Sequence, residues 1–310
     1  MKQYFSLILK GIAMGAANVI PGVSGGTMAL ITGIFERLIN AVKSFNLKAF
    51  KLLLSFKIKE FARQTDLYFL IAVFAGIAVA IITLAKLFDY LFINYPVYIW
   101  AYFFGLVLAS VYFVGKRIST WSISVIISFV IGAIVAVVIS ILNPATENSS
   151  MLYLILCGVV AMCSMILPGL SGSFVLILMG NYQLVMIDAI NNRDLGILIP
   201  VVIGAGLGLL AFSHVLSWVF KHYRNQTIAL LTGFILGSVS ILWPWQKMIF
   251  MKDAAGDFIL KNGEKIVVQY QRYVPDSFDQ EVIFAILIAL VGIASIWAIE
   301  KAAALKTEEE

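Results

Sequence analysis

Two short stretches carry residue types that can hold an anion inside an apolar chain. Ser24-Gly25-Gly26-Thr27 follows Ile20-Pro21-Gly22, and Ser171-Gly172-Ser173 follows Leu167-Pro168-Gly169. A helix started after such a break points its free amides and the positive end of its dipole at whatever lies ahead. The hydroxyls add donors, and the glycines let backbone approach closely. Two such ends meeting from opposite sides would form an anion site holding no buried full charge, as discontinuous helices do in inverted-repeat transporters. One Pro-Gly-x-Ser-Gly copy serves equally well as a packing kink; two copies in register favour a ligand.

Ionisable groups within apolar segments are costly and as a rule functional. Glu36 and Arg37 close the first unit, and Gln183 takes the Glu36 position in the second. Glu36 reads as a group that exchanges an ion, and Arg37 as one that draws in or releases an anion on the cytoplasmic side; an interfacial pair is the other reading. Lys86 and Asp89 are three apart near the outer end of their helix, where they can pair. His214 falls at the Lys86 position of the second half, so Glu36, Lys86, Asp89 and His214 are the coupling or gating candidates. Asn18 can bond a substrate or cap freed backbone. Cys157 and Cys163 share one apolar stretch without a CxxC pair or a His/Cys cluster. No disulfide framework, metal site or cofactor is expected from them.

The elements that position these breaks follow from composition. Of 310 residues, 61% are hydrophobic and 13% charged, whereas soluble domains carry about a quarter charged. A soluble globular enzyme is excluded. Residues 20–33 (IPGVSGGTMALITG) match 167–180 (LPGLSGSFVLILMG) at an offset of 147, which Gly11 and Gly158 share. Further on the offset is 128, with Gly76 on Gly204, Gly105 on Gly233 and Ser110 on Ser238. Collinear matches over most of both halves indicate duplication. Apolar runs long enough to cross lie near 67–93, 96–115, 121–142, 197–220, 227–245 and 282–299. Residues 4–40 and 151–187, each broken at its centre, read as re-entrant helical hairpins.

Basic residues order the layout. Residues 37–66 hold seven of the 22 Lys and Arg, which assigns that segment to the cytoplasm. NPATENSS (143–150) has none and lies outside. The second half then begins on the side opposite the first, making the repeats inverted. The expectation is an all-α integral membrane protein with about six transmembrane helices and two re-entrant hairpins. The first repeat spans 1–142 and the second 151–310, with both termini cytoplasmic. MKQYFSLILKGIAMGAAN reads as mature chain, because its apolar stretch runs into Pro-Gly without a cleavage site. Residues 43–62 read as an interfacial helix on the anionic inner leaflet. Residues 246–281 read as a mixed-charge external loop, a lid or a plain connection, with a hairpin signal at Asn262-Gly263.

GIAMGAANVIPGVSGGTMALITGIFERL (11–38) with MILPGLSGSFVLILMGNYQ (165–183) resembles a bacterial membrane family long known as a domain of unknown function. Its members are assigned as polyprenyl-phosphate transporters (PopT). The resemblance covers essentially the whole chain and departs at Asn181 and Gln183, where an acidic residue is more usual. It implies a flippase returning undecaprenyl phosphate across the bacterial cytoplasmic membrane for lipid-carrier recycling in cell-wall biogenesis. On that reading Asn18, Gly22, Ser24, Gly25, Gly26, Thr27, Gly169, Ser171, Gly172 and Ser173 hold the phosphate, helped by Arg37, while two repeats alternate access. The partners are the polyprenyl phosphate and the bilayer, with H+ or Na+ as a coupling ion and a homo-oligomer both compatible; no nucleic acid is expected. The rival classes are an ion-coupled small-anion transporter or channel and, further off, a membrane lipid phosphatase, for which only His214 and His222 are available.

Overall fold

The computed structural model describes residues 2–19, 24–142, 145–250, 260–261, 264–265 and 267–308. Gly22 and the Asn262-Gly263 pair lie outside the described residues, as do the side chains of Lys86 and Asp89.

The first half opens with α1 (Lys2–Val19), α2 (Gly25–Ile31) and α3 (Phe35–Lys43). At ~1.5 Å per residue, the 18 residues of α1 run about 27 Å and the seven of α2 about 10 Å. α4 (Leu47–Leu54) and α5 (Ile58–Gln64) come next, then the long apolar α6 (Leu67–Asn94), α7 (Pro96–Gly115) and α8 (Ile123–Ile141). The second half holds α9 (Met151–Ile166), α10 (Gly172–Leu178), a π-helical turn over Gln183–Asp188 and α11 (Ala189–Asn191). α12 (Leu195–His222), α13 (Arg224–Ser238) and α14 (Gln280–Glu308) complete it.

Among the described residues, six helices are long and apolar enough to cross a membrane: Leu67–Leu84, Pro96–Gly115, Ile123–Ile141, Leu195–His222, Arg224–Leu242 and Gln280–Ala298. They coincide with the six runs expected from hydropathy, and the chain is a multi-pass membrane protein. Burial ranks them. The Arg224–Leu242 span is 67% buried, whereas Ile123–Ile141 and Leu195–His222 are 17% buried, so α13 is central and α8 and α12 peripheral. The largest fully buried side chains, among them Ile31, Phe69, Leu231, Ile235 and Leu242, gather around α2, α6 and α13.

Helices pack in four long pairs: α1 on α6, α9 on α12, α7 on α14 and α8 on α13. Lipid is as apolar as the side chains, so close backbone approach at small residues drives such pairing. A Cβ on Gly11 would overlap the Val73 carbonyl oxygen, and one on Gly158 would overlap that of Val201. A Cβ on Gly105 would overlap Ala289 O, and one on Gly233 would overlap Phe129 O. Each contact is the other's counterpart at offsets of 147 and 128, with 160 relating α8 to α14. The breaks correspond as closely. Ser24 and Ser171 share φ −110° with ψ 135° and 144°, and Gly33 and Gly180 both have φ 73°.

One segment differs from expectation, and another pairs strands on either side of the expected hairpin signal. Residues 43–62 form a pair of short helices rather than one. Asn46 accepts from the Lys48 and Ala49 amides to start α4, and Phe56 at φ 52° turns the chain before α5. The 246–281 connection carries strands: β1 (Gln246–Phe250) pairs antiparallel with β4 (Val267–Arg272), and β2 (Leu260–Lys261) with β3 (Glu264–Lys265). The Tyr273 amide donates to Trp245 O, and Trp243 Nε1 donates to Tyr273 O at 2.8 Å, anchoring this hairpin to the end of α13.

Candidate functional site

The two breaks meet. Ser24 begins α2 with extended backbone and accepts the Gly26 amide at 3.1 Å. Its hydroxyl donates across to Leu167 O at 3.1 Å and Met165 O at 3.4 Å. One turn on, Thr27 Oγ1 accepts the Gly169 amide at 3.1 Å. Both hydroxyl-bearing residues are buried. A Cβ at Gly26 would come 2.6 Å from Ile166 O, so only glycine lets the first break lie against the second. Gly169 supplies the turn there, at φ 86°, where other side chains are strained.

The arrangement is lopsided. At α2 the Gly25 amide donates to Asn18 Oδ1 at 2.8 Å, the Gly26 amide to Ser24 Oγ, and the Thr27 amide to Ser24 O. Asn18 therefore caps freed backbone. The Gly25, Gly26 and Thr27 amides are thus spent on protein. At α10 the Ser171 hydroxyl accepts the Phe174 amide at 3.2 Å and lies 3.2 Å from Ser173 Oγ. Gly172 is buried, but Ser171 is half-buried and Ser173 exposed. The Gly172 and Ser173 amides have no acceptor among the described residues. Phe174 stands where the offset puts the counterpart of Thr27, so the second break has no equivalent hydroxyl to return the bond.

The remaining expected residues go elsewhere. Arg37 is held by Asp66 through Nε at 2.6 Å and Nη2 at 3.0 Å, with its guanidinium 4.3 Å over the Phe69 ring. The hydrogen bond to Asp66 raises its pKa further above an already high value. A forked pair of this kind fixes the start of α6 to α3. Glu36 Oε1 accepts from Arg224 Nε and Nη2, both at 3.0 Å. His214 is exposed, its Nδ1 2.8 Å from Leu210 O of its own helix, and joins no site. Among the described residues no His, Cys, Asp or Glu group is arranged to hold a metal.

Sequence reasoning passed over the groups that close the far ends of the short helices. Lys10 Nζ donates to Thr32 O at 2.9 Å, and Arg117 Nη2 donates to Ile31 O, so two cations meet the carbonyl end of α2. At α10 the matching carbonyls are met by neutral groups: Tyr153 Oη donates to Met179 O and the Ala145 amide to Leu178 O, both at 2.8 Å. Cations suit the negative end of a helix dipole. The signal for Lys10 was its lone charge within an apolar run; Arg117, at the end of an apolar run, carries no such signal. Asn181, fully buried, exchanges two bonds with the Asn148 backbone, accepting at 2.9 Å and donating at 2.8 Å. A carboxylate there could not donate, which accounts for an amide in place of an acid.

Comparisons with known proteins agree on one grouping. The model of a family described as undecaprenyl phosphate translocase-like matches residues 14–259. A polyprenyl-phosphate transporter of Vibrio cholerae is 36% identical over 305 residues, covering 96% of this chain and 97% of that protein. A polyprenyl-phosphate transporter of Staphylococcus aureus is 29% identical over 255 residues, covering 76% of this chain and 85% of that one. No solved structure matches.

Proposed function

The chain belongs to the undecaprenyl phosphate translocase-like family, and we propose that it transports a polyprenyl phosphate, with undecaprenyl phosphate the expected substrate, across the bacterial cytoplasmic membrane by alternating access. The observation that carries this reading is the meeting of the two breaks at Ser24, Thr27, Leu167 and Gly169. Backbone freed from helix at that depth is tolerated where protein or a watery path satisfies it. A phosphate headgroup crossing between the breaks takes over those donors, while its isoprenoid tail stays in lipid.

The paired contacts support two inverted repeats, 1–142 and 151–310, moving against each other around the breaks. The shared break dihedrals and the matched contacts of Gly11 with Val73 and Gly158 with Val201 support a common build for the two halves. Their unequal state, with the first break closed onto the second and the second open at Ser171 and Ser173, is what one access state of such a pair requires. Cations on the α2 carbonyl end and neutral groups on the α10 end support cytoplasmic exposure of the former, with both termini on that side. The exposed Leu47, Phe50, Leu54 and Phe56, among the lysines of α4 and α5, suit a seat on the inner leaflet.

The test uses the full-length protein in liposomes with Ser171→Val and Ser173→Val together. These changes remove both hydroxyls of the second break, including the Ser171 oxygen that caps α10, without touching Ser24 or Thr27. Headgroup translocation falls at least tenfold while the melting temperature drops by no more than the loss of one helix cap, about 0.5–2 kcal/mol, accounts for. Undiminished translocation overturns the assignment of the breaks.

A further inference from the structure

Away from the breaks, Lys221 lines a polar hollow and Lys43 reaches its wall. α3 and α12 pack side by side, and a cavity of about 230 Å³ opens between them, lined by Glu36, Ile39, Asn40, Ser217, Phe220 and Lys221. A relay of hydrogen bonds runs along its wall. Lys43 Nζ donates to Ser217 Oγ at 3.1 Å, and Ser217 Oγ donates to Asn40 Oδ1 at 2.9 Å. With Oδ1 used in this way, the Asn40 amide group keeps two N–H donors for another acceptor.

The charge balance points to an anion. Glu36 is the carboxylate among the lining residues, and Arg224 already meets it at 3.0 Å. Lys43 and Lys221 have no carboxylate within ion-pair distance among the described residues. Ile39 and Phe220, both buried, supply apolar walls, and the Phe220 ring packs on Phe35 at 5.7 Å. Beside such walls charge interactions are stronger than in open water. A water takes ~30 Å³ of liquid volume, so the hollow suits an anion of phosphate size and not a bulky polar ligand.

We propose that Asn40, Lys43, Ser217 and Lys221 form a binding site for a phosphate monoester, distinct from the two breaks. A monoester near pH 7 carries a charge of about −1.5 to −2 and three acceptor oxygens. The two lysines match that charge, and the Asn40 and Ser217 groups match the acceptors. As a station for a transported headgroup the site rests on the transporter reading; as an anion site it stands without it. The chemistry is shared by the lipid headgroup and free phosphate, and experiment separates them.

The full-length protein in nanodiscs of neutral lipid is titrated with inorganic phosphate and, separately, loaded with undecaprenyl phosphate. Wild type is compared with Lys43→Gln/Lys221→Gln and with Lys43→Arg/Lys221→Arg, and thermal melting reports the fold of each. The glutamine pair weakens binding of both probes at least tenfold and slows translocation in liposomes; the arginine pair retains both. Weakened free-phosphate binding with unchanged lipid binding and translocation assigns the site to free phosphate. A folded glutamine pair that binds both probes as wild type does overturns the site and leaves the transporter reading intact, whereas wild type that binds neither probe overturns both. Wild type that moves no polyprenyl phosphate, with phosphate binding still lost in the glutamine pair, overturns the transporter reading alone.

Discussion

Asn181 sits just beyond the end of α10, fully buried, with its carboxamide bonded twice to the backbone of Asn148. That pair ties the α8–α9 connection to the second unit. Replacing one partner of a buried pair leaves the other unsatisfied, at about 1–3 kcal/mol. Asn181→Asp loses the donor and introduces charge, so it should lower the melting temperature of the purified protein more than Asn181→Ala does. An unchanged melting temperature in Asn181→Asp would show that water replaces the lost bond. Thr27 works on the same principle at the first break. Its hydroxyl is the acceptor for the Gly169 amide, and that role is invisible in a sequence where the two residues are far apart. Ser24, by contrast, was legible as a helix start, because Ser before Gly-Gly-Thr is a usual cap pattern.

Among the helices, stability rests on where backbones touch. Gly204 and Gly206 share α12, two residues apart, yet face different surroundings. A Cβ at Gly204 would overlap Ile155 O of α9, while at Gly206 nothing lies within 4 Å. Gly204→Ala should therefore push α9 and α12 apart and cost about 1–3 kcal/mol. Gly206→Ala should be neutral or stabilising by up to about 1 kcal/mol, since alanine is the better helix former. Melting both variants in the same lipid checks the contrast, and equal loss in both would refute the packing account. The matched glycines were legible as a repeat at fixed offsets, but which helix each one meets was not. Partner choice depends on how α7 and α14, or α8 and α13, come together across the two halves. The split of residues 43–62 into α4 and α5 was likewise hidden, because lysines and apolar residues at helical spacing run through the break at Phe56.

For the molecule as a whole, the contact between the breaks is the mechanical question. If access alternates, Ser24 and Thr27 must part from Leu167 and Gly169 in each cycle. Ser24→Cys with Leu167→Cys, in a background of Cys157→Ala and Cys163→Ala, gives a pair that a short bifunctional thiol reagent can bridge. Cross-linking should stop headgroup translocation and cleavage of a reducible reagent should restore it; translocation that continues through the bridged pair would show that the breaks do not separate. The same packing gives Arg37 a partner that the sequence does not show. A cation beside an apolar hairpin looks available to a phosphate, whereas the fold brings Asp66 within 2.6 Å and uses it. Lys43, one of the seven basic residues of 37–66, and Lys221 are brought together with Ser217 by the α3–α12 contact.

Sequence alone determined that this is a membrane protein of six apolar crossings with two polar breaks in register. Hydropathy and internal repetition are local or collinear properties, and they survive without coordinates. Only the tertiary structure decided which donors are spent and which are open. Hydrogen bonding and ion pairing are settled by distance, and residues more than a hundred positions apart, such as Ser24 and Leu167 or Lys43 and Ser217, become neighbours only once the helices have packed.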